Sequence, residues 1–256
     1  MVIIAVANQK GGVGKTTTTV NLGAYMARVG KRVLIVDLDP QGNASSGLGI
    51  DKQNLNHSLY DVLVDAVPLA SVTHKTKYKN LSIIPASAVL AAAEVELTKI
   101  DQRESRLKQA LTNAPYDIVL IDCPPSLNLL TLNAMSSAHA VLVPVQCEFF
   151  ALEGISQLKE TIDQIRGTLN PRLEIQGVVL TMHDARTHLS REVADNVRAF
   201  FGPKVYETMI PRNTRVAEAP SHGKPILLYD YDCAGSQAYI RLATEIIERE
   251  RRYKAA

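Results

Sequence analysis

Short apolar runs alternate with amphipathic stretches along most of the chain. The apolar runs predict strands buried on both faces, at Val2–Ala7, Val33–Val36, Leu81–Ile84, Asp117–Ile121, Ala140–Val145 and Gly177–Thr181. Apolar residues at helical spacing predict helices at Thr16–Arg28, Ala88–Leu97, Arg103–Leu111, Ile155–Leu169, Arg191–Phe201 and about Ser236–Arg252. Val205–Ile210 is expected to be a further regular element of this alternation.

Strands that alternate with helices predict the fold class, because parallel strands need long crossover connections that helices usually provide. No Gly/Ser/Pro-rich linker, repeat or low-complexity tract interrupts the 256 residues. We therefore expect an α/β fold, with a single doubly wound, mostly parallel sheet and helices on both faces. One domain is expected to cover residues 1–256.

Bulk composition excludes some classes of protein and leaves others open. The chain is 46% hydrophobic and 21% charged, with a formal net charge of +2 that neither demands nor excludes a polyanionic partner. Three widely spaced cysteines without a C-x-x-C pair argue against a disulfide framework or a zinc site. The first residues lack the features of a signal peptide, and no apolar run approaches the ~18–20 residues of a membrane span. A cytoplasmic protein is expected.

The first polar cluster follows the first predicted strand and reads NQKGGVGKTT, residues 8–17. Its glycines let successive backbone N–H groups curl around phosphate oxygens, Lys15 reaches the β- and γ-phosphates, and the Thr16 hydroxyl binds Mg²⁺. The pattern departs from the ordinary G-x-x-x-x-G-K-[ST] loop, because Gln9 stands in place of the first glycine. The residues expected to bind ATP here are Lys10, Gly11, Gly12, Val13, Gly14, Lys15, Thr16 and Thr17.

Two acidic clusters follow later strands, where binding residues of such sheets gather. Asp37 and Asp39 stand at the end of one strand, and a carboxylate there can orient an attacking water or hold hydrated Mg²⁺. Two acids at the start of a loop can also be solubilising caps. Asp122 ends an apolar strand in the form of a Walker B motif and would bind Mg²⁺ through water.

Lys10 is a second lysine in the phosphate loop, and Lys15 already occupies the phosphate-contacting role. Lys10 can instead reach across a dimer interface into a facing nucleotide, as an arginine finger does. The string KGGVGKTT resembles the deviant Walker A motif of the ParA/MinD group of P-loop ATPases, in which two subunits sandwich two ATP molecules and the early lysine acts in trans. The string DLDPQGN resembles that group's second acidic motif, which implies that Asp39 activates the hydrolytic water and that Asp37 is structural or a distant Mg²⁺ contact.

The resemblance covers nearly the whole chain and is closest to the short chromosomal ParA/Soj branch of partition ATPases. It implies an ATP-dependent homodimer that binds double-stranded DNA without sequence preference, associates with the nucleoid and works with a ParB-like centromere-binding protein. Longer plasmid relatives carry a helix-turn-helix extension, whereas this chain starts directly at its first strand, so operator binding is not expected. The resemblance also implies that Met182, Pro211 and Asn213 lie near the adenine.

Arg186 and Arg215 match family positions used for non-specific DNA binding. Between residues 180 and 215 there are six Lys/Arg against four Asp/Glu, without the interleaving of aromatic and basic residues that is needed to stack exposed bases. Charge alone favours ordinary surface arginines, and the motif match favours DNA.

Three related functions stay open or are set aside. A ParA-like positioner of non-DNA cargo would share the same chemistry and differ only in its adaptor. A MinD-like membrane-surface ATPase would need a basic amphipathic C-terminal helix, whereas the stripe from Tyr239 to Ile247 suits packing on the sheet, and membrane binding is not expected. Nitrogenase-type iron proteins need two cysteines in contexts that Cys123 and Cys147 lack.

Overall fold

The computed structural model describes residues 1–149 and 151–255, the side chains of residues 151–154 and 250–255 excepted. The strands of this part of the chain are β1 (Val2–Val6), β2 (Val33–Asp37), β3 (His74–Lys75), β4 (Leu81–Ile84), β5 (Ile118–Asp122), β6 (Ala140–Gln146) and β7 (Glu174–Thr181). The helices are α1 (Lys15–Arg28), α2 (Asn43–Gly47), α3 (Leu59–Leu63), α4 (Leu69–Val72), α5 (Leu90–Glu96), α6 (Arg106–Ala110), α7 (Leu129–Ser137), α8 (Ala151–Thr168), α9 (His188–Phe201), α10 (Thr214–Glu218), α11 (Ile226–Tyr229) and α12 (Ala234–Ala255).

The strands form one sheet in the order β3-β4-β2-β5-β1-β6-β7. Every neighbouring pair is parallel except β3 and β4, which are antiparallel at one edge. The predicted mostly parallel sheet is therefore confirmed. Val6 and Asp37 are both in register with Asp122, so the carboxyl ends of β1, β2 and β5 meet at one edge of the sheet.

Helices cover both faces of the sheet, as the sequence predicts. Alternate residues of β1 point to opposite sides, so that Ile3 and Ala5 belong to one hydrophobic cluster and Ile4 and Val6 to the other. α7, α8 and α9 pack in the first cluster, and α1 and α12 pack in the second. The apolar stripe of the last helix contributes buried side chains to this second cluster, as expected, at Tyr239, Leu242, Ala243 and Ile246.

The expectation of a regular element at Val205–Ile210 is wrong, because only isolated bridges join this part of the chain to its neighbours. The segment runs beside β7, but its middle N–H groups turn away from that strand. Glu207 N and Thr208 N donate to the carboxylate of Glu245 in α12, at 2.9 and 3.1 Å. The side chain of Glu245 therefore takes the place of the backbone hydrogen bonds that a strand would make with β7.

Several shorter elements also differ from the pattern. The helix expected at Arg103–Leu111 is divided into a 3₁₀ turn at Arg103–Ser105 and α6. α7 was not predicted, because it is buried nearly all round and carries no polar face to give a helical period. β3 was missed because its two residues are too few to form a pattern. Within the described chain, no helix combines the length and apolar composition that crossing a bilayer requires.

Candidate functional site

The loop between β1 and α1 has a backbone shape that only glycine adopts easily. Gly12 has φ 75° and Gly14 has φ 88°, both in the left-handed region. A Cβ added to Gly11 or Gly12 would meet no atom within 4 Å, so the loop faces open space. α1 begins at Lys15 without a side-chain cap, which leaves its first N–H groups directed at the loop. Such a helix start attracts phosphate.

Two neighbouring strands hold this loop in place. Asn8 Nδ2 donates to Pro144 O of β6 at 2.7 Å, and Asn8 Oδ1 accepts from Lys10 N at 3.0 Å. Thr181 Oγ1, at the end of β7, donates to Val13 O at 2.8 Å. Val13 itself is buried, so its side chain anchors the loop. Asn8 and Thr181 were not singled out from the sequence, because their partners lie more than 130 positions away along the chain.

Lys15 is a buried cation at the start of α1. The residue is only 7% exposed, and its Nζ donates to Lys10 O at 3.1 Å. Burial lowers the pKa of Lys15, and the negative charge of Asp122 opposes that effect. A phosphate chain beside Lys15 would stabilise its charged form further.

Asp37 and Asp122 lie opposite each other in β2 and β5, and both are fully buried. Asp37 Oδ2 accepts from the N–H and the hydroxyl of Ser45, both at 2.7 Å, while Asp122 Oδ1 accepts from Thr19 Oγ1 at 3.3 Å. Burial raises the pKa of Asp37 to about 6, although the Ser45 hydrogen bonds act against it. Burial and the charge of Asp37 raise the pKa of Asp122 well above its ordinary value, and the Thr16 hydroxyl acts in the opposite direction.

Each of these carboxylates has one buried oxygen left over. Asp37 Oδ1 and Asp122 Oδ2 have no hydrogen-bond partner among the residues that the structure describes. A buried carboxylate oxygen without a partner is costly, and a hydrated cation would satisfy it. Together with the Thr16 hydroxyl, these acids fit a hydrated Mg²⁺. Asp37, for which the sequence left a structural or a distant metal role, meets this test as well as Asp122 does.

Asp39 lies beyond the end of β2 and is half-buried. Its Oδ1 accepts from Gln41 N at 2.9 Å and its carbonyl accepts from Gly42 N at 2.8 Å, which fixes the turn. Its negative charge acts on both Lys15 and Asp122, so Asp39 lies close to both groups.

Lys10 makes an ion pair within its own chain. Nζ lies 3.5 Å from Glu148 Oε2, just after β6, and Arg212 contributes a second cation 3.7 Å from Glu148 Oε1. The Lys10 side chain is 32% exposed. Glu148 and Arg212 were not singled out as partners of Lys10, because only the fold brings residues 138 positions apart together.

The three residues expected near the adenine gather at the end of β7. Met182 follows Thr181 with φ 51°, a left-handed conformation. His183 N donates to Ile210 O, and His183 O accepts from Arg212 N, which places Pro211 beside this strand end. Asn213 caps α10 by accepting from Val216 N at 3.1 Å, so its Nδ2 donors are not used by the cap.

A cavity of about 280 Å³ borders the phosphate loop on the α1 side. Thr16 and Thr17 form one wall, Asn43 of α2 another, and Val216 and Lys224 a third. Space beside the first turn of α1 is therefore available for part of a nucleotide.

Arg186 and Arg215 lie on separate segments and are both paired with acids. The guanidinium of Arg186 makes two contacts with the Asp184 carboxylate, at 2.8 and 2.9 Å, and these hold the pKa of Asp184 well below its usual range. Arg215 lies 3.0 Å from Glu218 and 3.5 Å from Asp230. DNA phosphates would have to compete with these acids.

The loop after β1 has a backbone conformation that requires glycine, and a buried lysine follows it at the start of α1. Two buried acids lie at the ends of adjacent strands beside this loop. Together these features define a P-loop nucleotide-binding protein. Residues 1–175, more than half of the chain, match the family model described as an AAA domain. The chain is 60% identical over 253 residues to the chromosome partitioning protein ParA of Caulobacter vibrioides, covering 97% of this chain and 95% of that protein. It is 54% identical over 246 residues to the sporulation initiation inhibitor protein Soj of Bacillus subtilis, covering 95% and 97%. The chain therefore belongs to the ParA/Soj family.

Solved structures show which ligands such a fold holds in a relative. Cobyrinic acid a,c-diamide synthase of Mycobacterium smegmatis, with bound ADP and magnesium, has a TM-score of 0.86 and 37% identity, covering 98% of this chain and 96% of that one. A second structure of that protein holds an ATP analogue and magnesium. The nucleotide and the metal predicted from the sequence are thus the ligands found in this relative.

Proposed function

We propose that this protein is an ATP-dependent dimerisation switch that binds DNA non-specifically and drives chromosome or plasmid segregation. The observation that carries the proposal is the buried triad of Lys15, Asp37 and Asp122 beside a lysine-bearing glycine loop. Each of its two acids has a buried carboxylate oxygen whose missing hydrogen bond a hydrated Mg²⁺ would supply. The partition role is supported by 60% identity to a protein named for chromosome partitioning.

In the ATP site, Lys15 binds the β- and γ-phosphates and the first N–H groups of α1 surround them. Thr16 and Asp122 would hold Mg²⁺, with Asp37 beside them, and the metal would neutralise charge on the phosphates. Asp39 orients the water that attacks the γ-phosphate. Hydrolysis yields ADP and phosphate, and it is slow until a partner completes the site.

Dimerisation brings Lys10 of each subunit to the nucleotide of the other. Lys10 pairs with Glu148 in the single chain, at 3.5 Å, and this exposed ion pair is weak enough to exchange for a phosphate contact. ATP thus favours the dimer, because the phosphates of each bound ATP attract Lys10 of the opposite subunit.

The dimer binds duplex DNA through Arg186 and Arg215, and two subunits double the footprint. The partner that stimulates hydrolysis is a ParB-like centromere-binding protein with a basic N-terminal peptide. One P-loop domain of residues 1–256 carries these activities, in the cytoplasm and on the nucleoid.

Binding to a random-sequence DNA duplex at low salt tests this function. We expect binding with ATP, little with ADP, and a loss in the Arg215→Ala protein with ATP. Arg172→Ala is the matched control, because Arg172 is also exposed but precedes β7 at the opposite end of the sheet. Binding that ignores the nucleotide, or an equal loss in both variants, would contradict the proposal.

A further inference from the structure

A short basic segment connects the edge strand β3 with β4, and we name residues 75–79 the basic turn. It contains Lys75, Lys77 and Lys79, and no Asp or Glu occurs anywhere between Asp65 and Glu94. The three lysines are exposed, while Thr76 and Tyr78 between them are half-buried. Because exposed lysines alternate with half-buried residues, these five residues present three positive charges to solvent.

Side-chain hydrogen bonds fix the shape of the basic turn. Thr76 Oγ1 donates to Leu81 O at 2.8 Å and accepts from Tyr78 N at 3.1 Å. The Tyr78 hydroxyl donates to Gly223 O at 3.0 Å. Because the backbone is held in this way, the lysines are presented from a defined surface, and binding a ligand costs little backbone ordering.

The charge of this surface is not compensated by acids. No ion pair involving Lys75, Lys77, Lys79 or Lys224 is found in the described part of the chain. Arg215, by contrast, contacts two acids. The lysines are therefore better placed to attract a polyanion at long range than the arginine is.

The basic turn is continuous with the segment that carries Arg215. α10, which contains Arg215, runs directly into the 3₁₀ turn Ala219–His222, and Gly223 follows that turn. Tyr78 is bonded to Gly223, and the exposed Lys224 comes next. Arg215, Lys224 and the basic turn are thus joined through one short segment, in which Glu218 and Asp230 lie beside Arg215 and no acid among the described residues pairs with Lys224.

Lysines on an edge strand also prevent other strands from pairing with it. That role accounts for Lys75, because β3 consists of His74–Lys75. It does not account for Lys77 and Lys79, which lie beyond the strand in the turn.

We propose that the basic turn, with Lys224, is a second phosphate-contacting surface for the DNA duplex that Arg215 contacts. The inference rests on the proposed function, since it extends the same DNA footprint. A duplex suits the surface because its phosphates are regularly spaced and dense, and because the only ring of the basic turn, Tyr78, is half-buried and bonded to Gly223, so it is not available to stack on bases.

The test is fluorescence anisotropy with a random-sequence duplex and ATP over a range of salt concentrations. The variant combines Lys75→Gln, Lys77→Gln and Lys79→Gln. Each phosphate contact contributes about 0.9 to the slope of log K against log salt, and the dimer carries two copies of every residue. The slope should therefore decrease by about 5 for the triple variant and by about 2 for Arg215→Ala. At the lowest salt the triple variant should bind at least about tenfold more weakly than the wild-type chain.

The matched control combines Lys99→Gln, Lys108→Gln and Lys159→Gln. These exposed lysines lie within two positions of Leu97, Leu107 and Leu158, which belong to the other hydrophobic cluster, whereas Tyr78 packs against the cluster of α1 and α12. Both triple variants change the formal net charge from +2 to −1. The control should keep the wild-type slope, and both variants should keep the basal ATPase rate.

An unchanged slope in the basic-turn variant, with Arg215→Ala impaired, would overturn this inference alone. Equal losses in the two triple variants would also overturn it, because net charge would then explain the effect. Loss of sedimentation with anionic lipid vesicles but unchanged DNA binding would assign the surface to lipid and overturn it too. Failure of the wild-type chain to bind DNA with ATP would contradict the proposed function itself.

Discussion

At the residue scale, the site concentrates charges that burial opposes. Lys15, Asp37 and Asp122 are all buried, and burial shifts the pKa of each group towards its neutral form. The attraction between Lys15 and Asp122 offsets part of this cost, while the two acids repel each other. Phosphate and a cation complete the charge balance, which explains why the site is preorganised to bind both.

The sequence predicts some of these residues and not others, for a physical reason. Lys15, Thr16 and Asp122 follow strands in a short, regular pattern, so their meeting at one edge of the sheet was predictable. The bonds from Ser45 to Asp37 and the pair of Lys10 with Glu148 were not predictable. Tertiary packing creates those contacts, and no local pattern encodes them.

The Lys15→Ala substitution should weaken Mg-ATP binding by about 10–100-fold, because it removes charge-assisted hydrogen bonds to the phosphates. Titration with a fluorescent ATP analogue measures the effect. Lys10→Ala is the control from the same loop. It should bind ATP almost normally as a monomer, since Lys10 pairs with Glu148. Normal binding by the Lys15→Ala protein would count against the assignment.

The Asp39→Ala substitution should lower the rate of ATP hydrolysis by about 10²-fold and leave ATP binding largely intact, since water positioning contributes mainly to the transition state. Phosphate release under single-turnover conditions measures the rate. Asp51→Ala is the matched control, because Asp51 accepts from Gln53 N in an exposed turn. Wild-type hydrolysis by the Asp39→Ala protein would refute the role of Asp39.

At the scale of elements, β7 connects the nucleotide site with the last third of the chain. Its end holds the phosphate loop through Thr181, and its outer edge contacts the Val205–Ile210 segment. The long helices α1, α8, α9 and α12 were predicted from their helical period, and the parallel strands were predicted from their continuous apolar runs. The Val205–Ile210 segment has an apolar pattern too, but the carboxylate of Glu245 takes its N–H groups, which the pattern does not reveal.

Gly177→Ala should destabilise the protein by about 1–3 kcal/mol through overpacking. A Cβ on Gly177 would lie 2.4 Å from the ring of Tyr206, which is fully buried and cannot move aside easily. Gly167→Ala is the control, because a Cβ there meets no atom within 4 Å and alanine favours helix α8. Urea unfolding compares the two, and equal midpoints would disprove the packing argument.

Glu245→Gln should reduce stability at pH 7 by about 1–2 kcal/mol, because a charged acceptor of two backbone N–H groups is replaced by a neutral one. Burial raises the pKa of Glu245, but the N–H donors of Glu207 and Thr208 outweigh it, so the pKa is lowered overall. A lowered carboxyl pKa stabilises the fold above the unfolded value of about 4.3, and this contribution is lost as the pH falls below it. Unfolding at pH 7 and pH 3.5 should therefore show a difference between wild type and variant that shrinks in acid. A constant difference would contradict the electrostatic explanation.

At the scale of the whole molecule, the nucleotide edge and the candidate DNA surface share one connected region. Asn21 in α1 donates to Thr17 O at 2.8 Å and accepts from Ile226 N at 2.7 Å. It thereby connects the phosphate loop with the segment that follows Lys224. In the proposed switch, this contact would connect the nucleotide site with the segment that carries Lys224.

In the proposed function, ATP joins two copies of this chain through Lys10. Sedimentation velocity of the Asp39→Ala protein, in which hydrolysis is expected to be slow, tests it most directly with Mg-ATP and with Mg-ADP. We expect a dimer with ATP, a monomer with ADP, and a monomer that still binds ATP when Lys10→Ala is added. A chain that stays monomeric with bound ATP, or that dimerises equally with ADP or without Lys10, would contradict it.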